Sequence, residues 1–270
     1  MKNLLFVPAI ILLIIACNSS AEHSAQTGDS LQQLLRSIRD SIRRYPHDPK
    51  PKYNLAIVLQ DAGQYKEAVQ ALDSMNIAKG DSASPKLYFD YLFKRSELLE
   101  LAGDTTEAIK TLELFVIPGE LTHAGLRLTN LYAETKNPKA ISLSDAMKKN
   151  DASGKDPNPD YLKGIYYYNI NDYKNALLQF DECIRKDYNF IDAYMEKGSI
   201  LFKQQKYSEA LKVFDLALTI SNSFADAFYW KAKCQEALGL KQEAKLNYQR
   251  AYGLDKTLIE AKEAADRINN

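Results

Sequence analysis

Apolar residues recur at helical spacing over most of the chain, most clearly from Asp160 to Asp255. One pattern occurs there three times. Gly164, Tyr167, Asp172-Tyr173, Ala176 and Phe180 form the first copy. Gly198, Leu201, Lys206-Tyr207, Ala210 and Phe214 form the second, and Ala232, Gln235, Leu240-Lys241, Ala244 and Tyr248 the third. The alanines fix the period (210 − 176 = 34 and 244 − 210 = 34). A constant period of this length, with helical rather than alternating steps, predicts paired helices stacked in an array. Gly164, Gly198 and Ala232 let the helices of one pair approach closely. Ala176, Ala210 and Ala244 do the same from the second helix. Phe180, Phe214 and Tyr248 then fill the space between pairs. A single pair would leave an apolar face in water, so the copies must stack.

Weaker versions of the pattern precede these three. Leu31, Leu34, Leu35, Ile38 and Ile42 predict a helix ended by Tyr45-Pro46, serving as an N-terminal cap. Pro51 to Met75 reads as a hairpin turning at Gly63-Gln64-Tyr65, with Ala68 and Leu72 in its second helix. The composition of Asn76 to Pro85 predicts a loop. Lys86 to Val116 is a second hairpin, turning at Gly103-Asp104, and Leu121 to Met147 a degenerate third, turning at Asn137-Pro138. Residues 31–148 are thus degenerate repeats. Residues 149–159 carry two prolines and a glycine, which predicts either a hinge between two halves or a surface loop that leaves the stack continuous. In residues 256–270, Leu258, Ala261, Ala265 and Ile268 cover the end of the stack. Glu260, Lys262, Glu263, Asp266 and Arg267 face water, as a capping helix requires.

The pattern in residues 160–255 resembles the tetratricopeptide repeat family, whose copies run Trp-x2-Leu-Gly-x2-Tyr, then Ala-x3-Phe, then Pro. This chain departs from it at three places in each copy. Asp160, Tyr194 and Phe228 stand for the Trp. Lys163, Lys197 and Lys231 stand for the Leu, and Tyr188, Asn222 and Lys256 for the Pro. The resemblance implies an all-α fold, a solenoid of about six helical hairpins with an N-terminal half-repeat and a C-terminal capping helix. It also implies a concave groove lined by the first helix of each hairpin. The residues carried over to that groove are Tyr161, Ile165, Tyr168 and Asn169; Met195, Ser199, Phe202 and Lys203; and Tyr229, Lys233 and Glu236. The expected partner is a protein or peptide. Tyr161, Met195 and Tyr229 occupy the positions where chaperone-binding relatives hold a carboxylate clamp, so a C-terminal carboxylate is not the expected ligand.

Charge and composition narrow the picture further. The chain has 270 residues, with 35 basic against 35 acidic side chains. That balance gives no reason to expect nucleic acid, which favours a basic face. Lys2 followed by the apolar run Leu4 to Ala16, interrupted only by Pro8, is too short to span a bilayer and reads as a signal peptide over residues 1–16. Ile14-Ile15-Ala16-Cys17 resembles a lipobox. That resemblance implies a bacterial lipoprotein acylated at Cys17 and held by membrane-inserted acyl chains. Residues 17–30 then read as the lipidated Cys and a flexible tether. Asn18 after the lipidated Cys implies the outer membrane, facing the periplasm.

The search for chemistry is negative. His23, His47 and His123 are scattered, and no metalloprotease, nucleophile-elbow or phosphate-loop motif occurs. Ser153-Gly154-Lys155 lacks the preceding glycine and strand of a phosphate loop. No cofactor or metal is expected. Cys183 and Cys234 lie in non-adjacent copies and read as small buried residues. The expectation is a non-enzymatic, lipid-anchored adaptor at the cell envelope, serving in assembly of outer-membrane, secretion or cell-wall machinery. The alternative is an envelope enzyme or glycan-binding protein with its site in the loops 76–85 or 149–159. Self-association is a third option.

Overall fold

The computed structural model describes residues 20–75, 77 and 85–268. Among the described residues there are fourteen helices and no strand. They fall into two compact units, Met1–Ser82 and Ala83–Asn270. The signal peptide and Cys17 lie outside the described residues, as does most of the loop 76–85.

The first unit holds α1 (Ser20–Arg44), α2 (Pro49–Asp61) and α3 (Tyr65–Asp73), with α1 on α2 and α2 on α3. The Asp48 carboxylate caps α2 at the Lys50 amide, with Pro49 at the first helical position. Helix α1 begins at Ser20, so the segment expected as tether is helical from that residue on. The helix nucleated by the apolar stripe from Leu31 extends backward, since elongation is easier than nucleation.

The second unit stacks five hairpins and a last helix. The hairpins are α4 (Pro85–Leu101) with α5 (Thr105–Glu113), α6 (His123–Glu134) with α7 (Lys139–Asn150), and α8 (Asn158–Asn169) with α9 (Tyr173–Lys186). Then come α10 (Ile191–Lys203) with α11 (Tyr207–Ile220), α12 (Ala225–Ala237) with α13 (Lys241–Leu254), and α14 (Ile259–Arg267). Successive helices pack in chain order from α4 to α14. With α2/α3 this makes six hairpins, a leading helix and a closing one, and the α-solenoid expected from the sequence is borne out. The boundary between units falls at Ser82–Ala83. Residues 151–157 instead join α7 to α8 inside the second unit.

The packing logic is visible at two positions. The first helix of each hairpin carries a buried small residue: Ala56, Ser96, Thr129, Gly164, Gly198 or Ala232. The second carries a fully buried alanine: Ala68, Ala108, Ala140, Ala176, Ala210 or Ala244. At Gly164 an added Cβ would lie 2.4 Å from a Phe180 ring carbon, and at Gly198 2.5 Å from Phe214, so both need glycine. Each turn places one residue in the left-handed region: Gly63, Gly103, Lys136, Asn171, Gln205 or Gly239. The next amide reaches back to a carbonyl of the first helix, as Lys206 N does to Leu201 O at 2.9 Å.

The structure also accounts for the departures from the family pattern. Each lysine that stands for leucine crosses to the preceding hairpin. Lys163 reaches Asp145 (2.8 Å), Lys197 reaches Asp181 (2.5 Å) and Lys231 reaches Asp215 (2.7 Å). Asp160, at the place of the opening aromatic, is fully buried between Lys148 (2.6 Å) and Lys186 (2.7 Å). An ion cluster there does what a ring does in the next two copies.

Candidate functional site

Side chains on the first helices of successive hairpins reach from each helix to the one before, which defines one face of the second unit. Asn169 on α8 donates to the Ala133 carbonyl on α6 at 3.3 Å. Lys203 on α10 reaches Tyr168 on α8, its ammonium 4.1 Å from the ring centre and bonded to the hydroxyl. Lys233 on α12 reaches Phe202 on α10 at 5.4 Å. Arg267 on α14 donates to Glu236 on α12 at 2.6 Å.

The structure separates the expected groove residues into three kinds. Ile165 is a correction: it is 3% exposed and belongs to the core. Ile165 lies on the same helical stripe as Tyr161 and Tyr168, and the packing of α6 against α8 leaves it covered. Several others are committed to neighbours. Tyr161 packs on Phe190 (5.0 Å) and Phe180 (5.9 Å). Met195 and Phe202 lie against the cluster of Tyr194, Leu201 and Phe214. Tyr229 lies against Phe228 and Tyr248. Asn169 also donates to the Ile165 carbonyl at 2.9 Å, and Ser199 to that of Glu196 at 2.9 Å. Glu236 accepts from Tyr248 at 2.8 Å as well as from Arg267.

Lys203 and Lys233 are the third kind. The Lys233 ammonium sits among three rings, 4.5 Å from Trp230, 5.3 Å from Tyr229 and 5.4 Å from Phe202. Each such contact stabilises a cation by about 0.5–1 kcal/mol at an exposed site. Among the described residues neither lysine makes an ion pair within 4 Å, although Lys203 lies near enough to Glu196 on the same helix to act against the upward push on its carboxyl. These are cations held in place by aromatic faces, with their remaining N–H groups free to donate.

Sequence reasoning missed Trp230 and Glu196. Trp230 stacks on Phe214 at 6.0 Å and meets Phe202 edge-on at 5.4 Å. Its signal was available: Phe228-Tyr229-Trp230 puts three rings in a row on a helix, and they cannot all face one core. Glu196 is half-buried on α10, and burial, with Asp192 one turn away, pushes its carboxyl up to about 7.

The remaining candidates resolve into structure. Cys183 and Cys234 are free and fully buried, and burial pushes each thiol up to about 12. In the connector 151–157, Asp151 accepts from the Ser153 hydroxyl (2.6 Å) and from the Asp156 amide (2.9 Å), which hold it down at about 2. Its oxygens serve the loop. Among the described residues no group of three or more His, Cys, Asp or Glu could hold a metal ion. None of their helices is long and apolar enough to cross a membrane.

Comparison with known proteins follows the same division. Tetratricopeptide repeat families match residues 161–223 and 225–258. A tetratricopeptide repeat protein from Parabacteroides merdae superposes with a TM-score of 0.65 at 19% identity, over 92% of this chain and 97% of that one. The Hsp70-Hsp90 organizing protein 1 of Glycine max is 33% identical over 100 residues, which is 37% of this chain and 17% of that protein. The DnaJ homolog subfamily C member 7 homolog of Schizosaccharomyces pombe is 23% identical over 90% of this chain and 56% of its own length. The chain therefore spans less than two thirds of either relative. Period, buried small residues, turn geometry and family matches agree that residues 161–223 and 225–258 are tetratricopeptide repeats.

Proposed function

We propose that the chain is a non-enzymatic adaptor that holds a protein or peptide partner on the face formed by α8, α10 and α12. The observation that carries this reading is the pair Lys203 and Lys233, fixed by rings and, among the described residues, in no ion pair within 4 Å. A cation already fixed by rings costs little to order on binding, and aromatic side chains beside it supply contact area. The name of one relative, Hsp70-Hsp90 organizing protein 1, supports a role in assembling other proteins. In this reading Cys17 carries acyl chains that anchor the protein to the cell envelope, at the outer membrane facing the periplasm. The anchor raises the local concentration of the face near its partner.

Two measurements test it. A photo-crosslinking side chain in place of Ser199 forms an adduct with a discrete envelope protein in the source organism, whereas one in place of exposed Lys212 on α11 does not. Lys203→Glu with Lys233→Glu abolishes the adduct while helical content is kept. An unchanged adduct in that double variant removes the face from consideration. For the anchor, Cys17→Ser moves the protein from the membrane fraction to the soluble fraction; retention in the membrane fraction ends that part of the reading.

A further inference from the structure

The seam between α5 and α6 lacks a strut that the three following seams have. At those three, a lysine just before the small buried residue of the first helix pairs with an acid on the preceding second helix. The acid follows Ser144, Phe180 or Phe214, and its counterpart on α5 is Glu113, which follows Leu112. The counterpart of the lysine is the residue before Thr129, and that is Leu128, 4% exposed. The acid is kept and the cation is lost. Glu113 takes substitutes from the side, the Tyr132 hydroxyl and the Lys139 ammonium at 2.8 Å. Where the strut is missing lies a cavity of about 330 Å³, walled by Val116, Pro118, Leu128 and Leu143, with Glu113, Tyr132 and Lys139 at its polar side.

We propose that this cavity is a binding site for a small amphipathic primary amine. Its apolar body fills the space beside Leu128, and its ammonium pairs with Glu113 as the lysines do at the other seams. The volume suits one ring with a short chain: small-molecule sites start near ~300 Å³ and combine apolar walls with a few convergent polar groups. Among the described residues Glu113 is the one carboxylate in the wall, and it supplies the acceptor for the ammonium. Lys139 does not close the site to a cation. Its side chain is 61% exposed, so the ion pair it makes is of the weak, replaceable kind, and a carboxylate has lone pairs for both ammonium groups.

The test uses the full chain and three probes of one shape: 2-phenylethylamine, 2-phenylethanol and 3-phenylpropionate, titrated by ligand-observed NMR at low salt. The amine binds about tenfold tighter than the alcohol, and the carboxylate weakest, the margin expected of a charge-assisted hydrogen bond. Glu113→Gln brings the amine down to the level of the alcohol. Leu128→Lys restores the strut and abolishes binding. Should that variant fail to fold, Ser142→Phe, at an exposed position on the rim, blocks the cavity instead. Equal binding of amine and alcohol, amine binding that survives Glu113→Gln, or no binding by any probe overturns the assignment.

Discussion

In α8/α9 and α10/α11 a phenylalanine ring lies on a glycine, Phe180 on Gly164 and Phe214 on Gly198, whereas in α6/α7 the matching places hold Ser144 and Thr129. Both arrangements bring two helices close, and both are fully buried at the contact. They differ in what fills the gap. A ring on a glycine removes a large apolar area from water and leaves no polar atom behind. Two hydroxyls must each find an acceptor. Thr129 donates to the Gly125 carbonyl at 2.8 Å, while the Ser144 hydroxyl has no partner among the described residues. Hairpins α8/α9 and α10/α11 thus close on a ring-to-glycine fit, whereas the matching contact of α6/α7 leaves a hydroxyl unpaired among the described residues.

The largest expected effect lies at the seam where the two kinds meet. Asp160→Ala leaves Lys186, whose side chain is 7% exposed, without its counter-charge. Removing one partner of a buried pair costs on the order of 3 kcal/mol, and denaturant melts should show a loss of that size. A loss no larger than at an exposed carboxylate would mean that Lys148 and Lys186 reach water easily.

Gly198→Val comes next, at about 1–3 kcal/mol, because the new carbons fall inside the Phe214 ring. Thr129→Val in the degenerate hairpin should cost less. Equal losses at the two sites would erase the distinction between them. Lys197→Ala removes one strut, with its lysine 27% and its aspartate 55% exposed. Half-exposed pairs contribute about 0.5–1 kcal/mol, and the effect should shrink in high salt.

Gln205→Gly should raise stability by about 0.5–1 kcal/mol, since Gln205 holds φ at 61° where glycine sits without strain. The same change at Lys136 tests whether the degenerate turn carries equal strain. A pH dependence of a different kind is confined to the strong array. The Glu196 carboxyl is raised from 4.5 to about 7 by burial first and Asp192 second. An acid raised on folding favours its protonated form there. Its contribution is complete below pH 4.5 and is lost as pH rises through about 7. Melting temperature should fall across that window, and Glu196→Gln should flatten the profile.

Read from the letters, the helices, their pairing and the period were fixed by local rules. Ala176, Ala210 and Ala244 sit one repeat apart because each must clear the same neighbouring helix, and that requirement shows in any window of the chain. The face was only half legible. Tyr161, Phe202 and Tyr229 are on it by register, yet each packs its ring on neighbours, and Ile165, on the same stripe as Tyr161, is covered once α6 packs on α8. Nothing local could tell that Lys233 rests among three rings from two helices, or that Leu128 leaves unpaired the place three lysines fill elsewhere. Those facts depend on which side chain of the next hairpin arrives opposite. Periodicity decides that hairpins stack; only their stacking decides which charges meet and where a space is left.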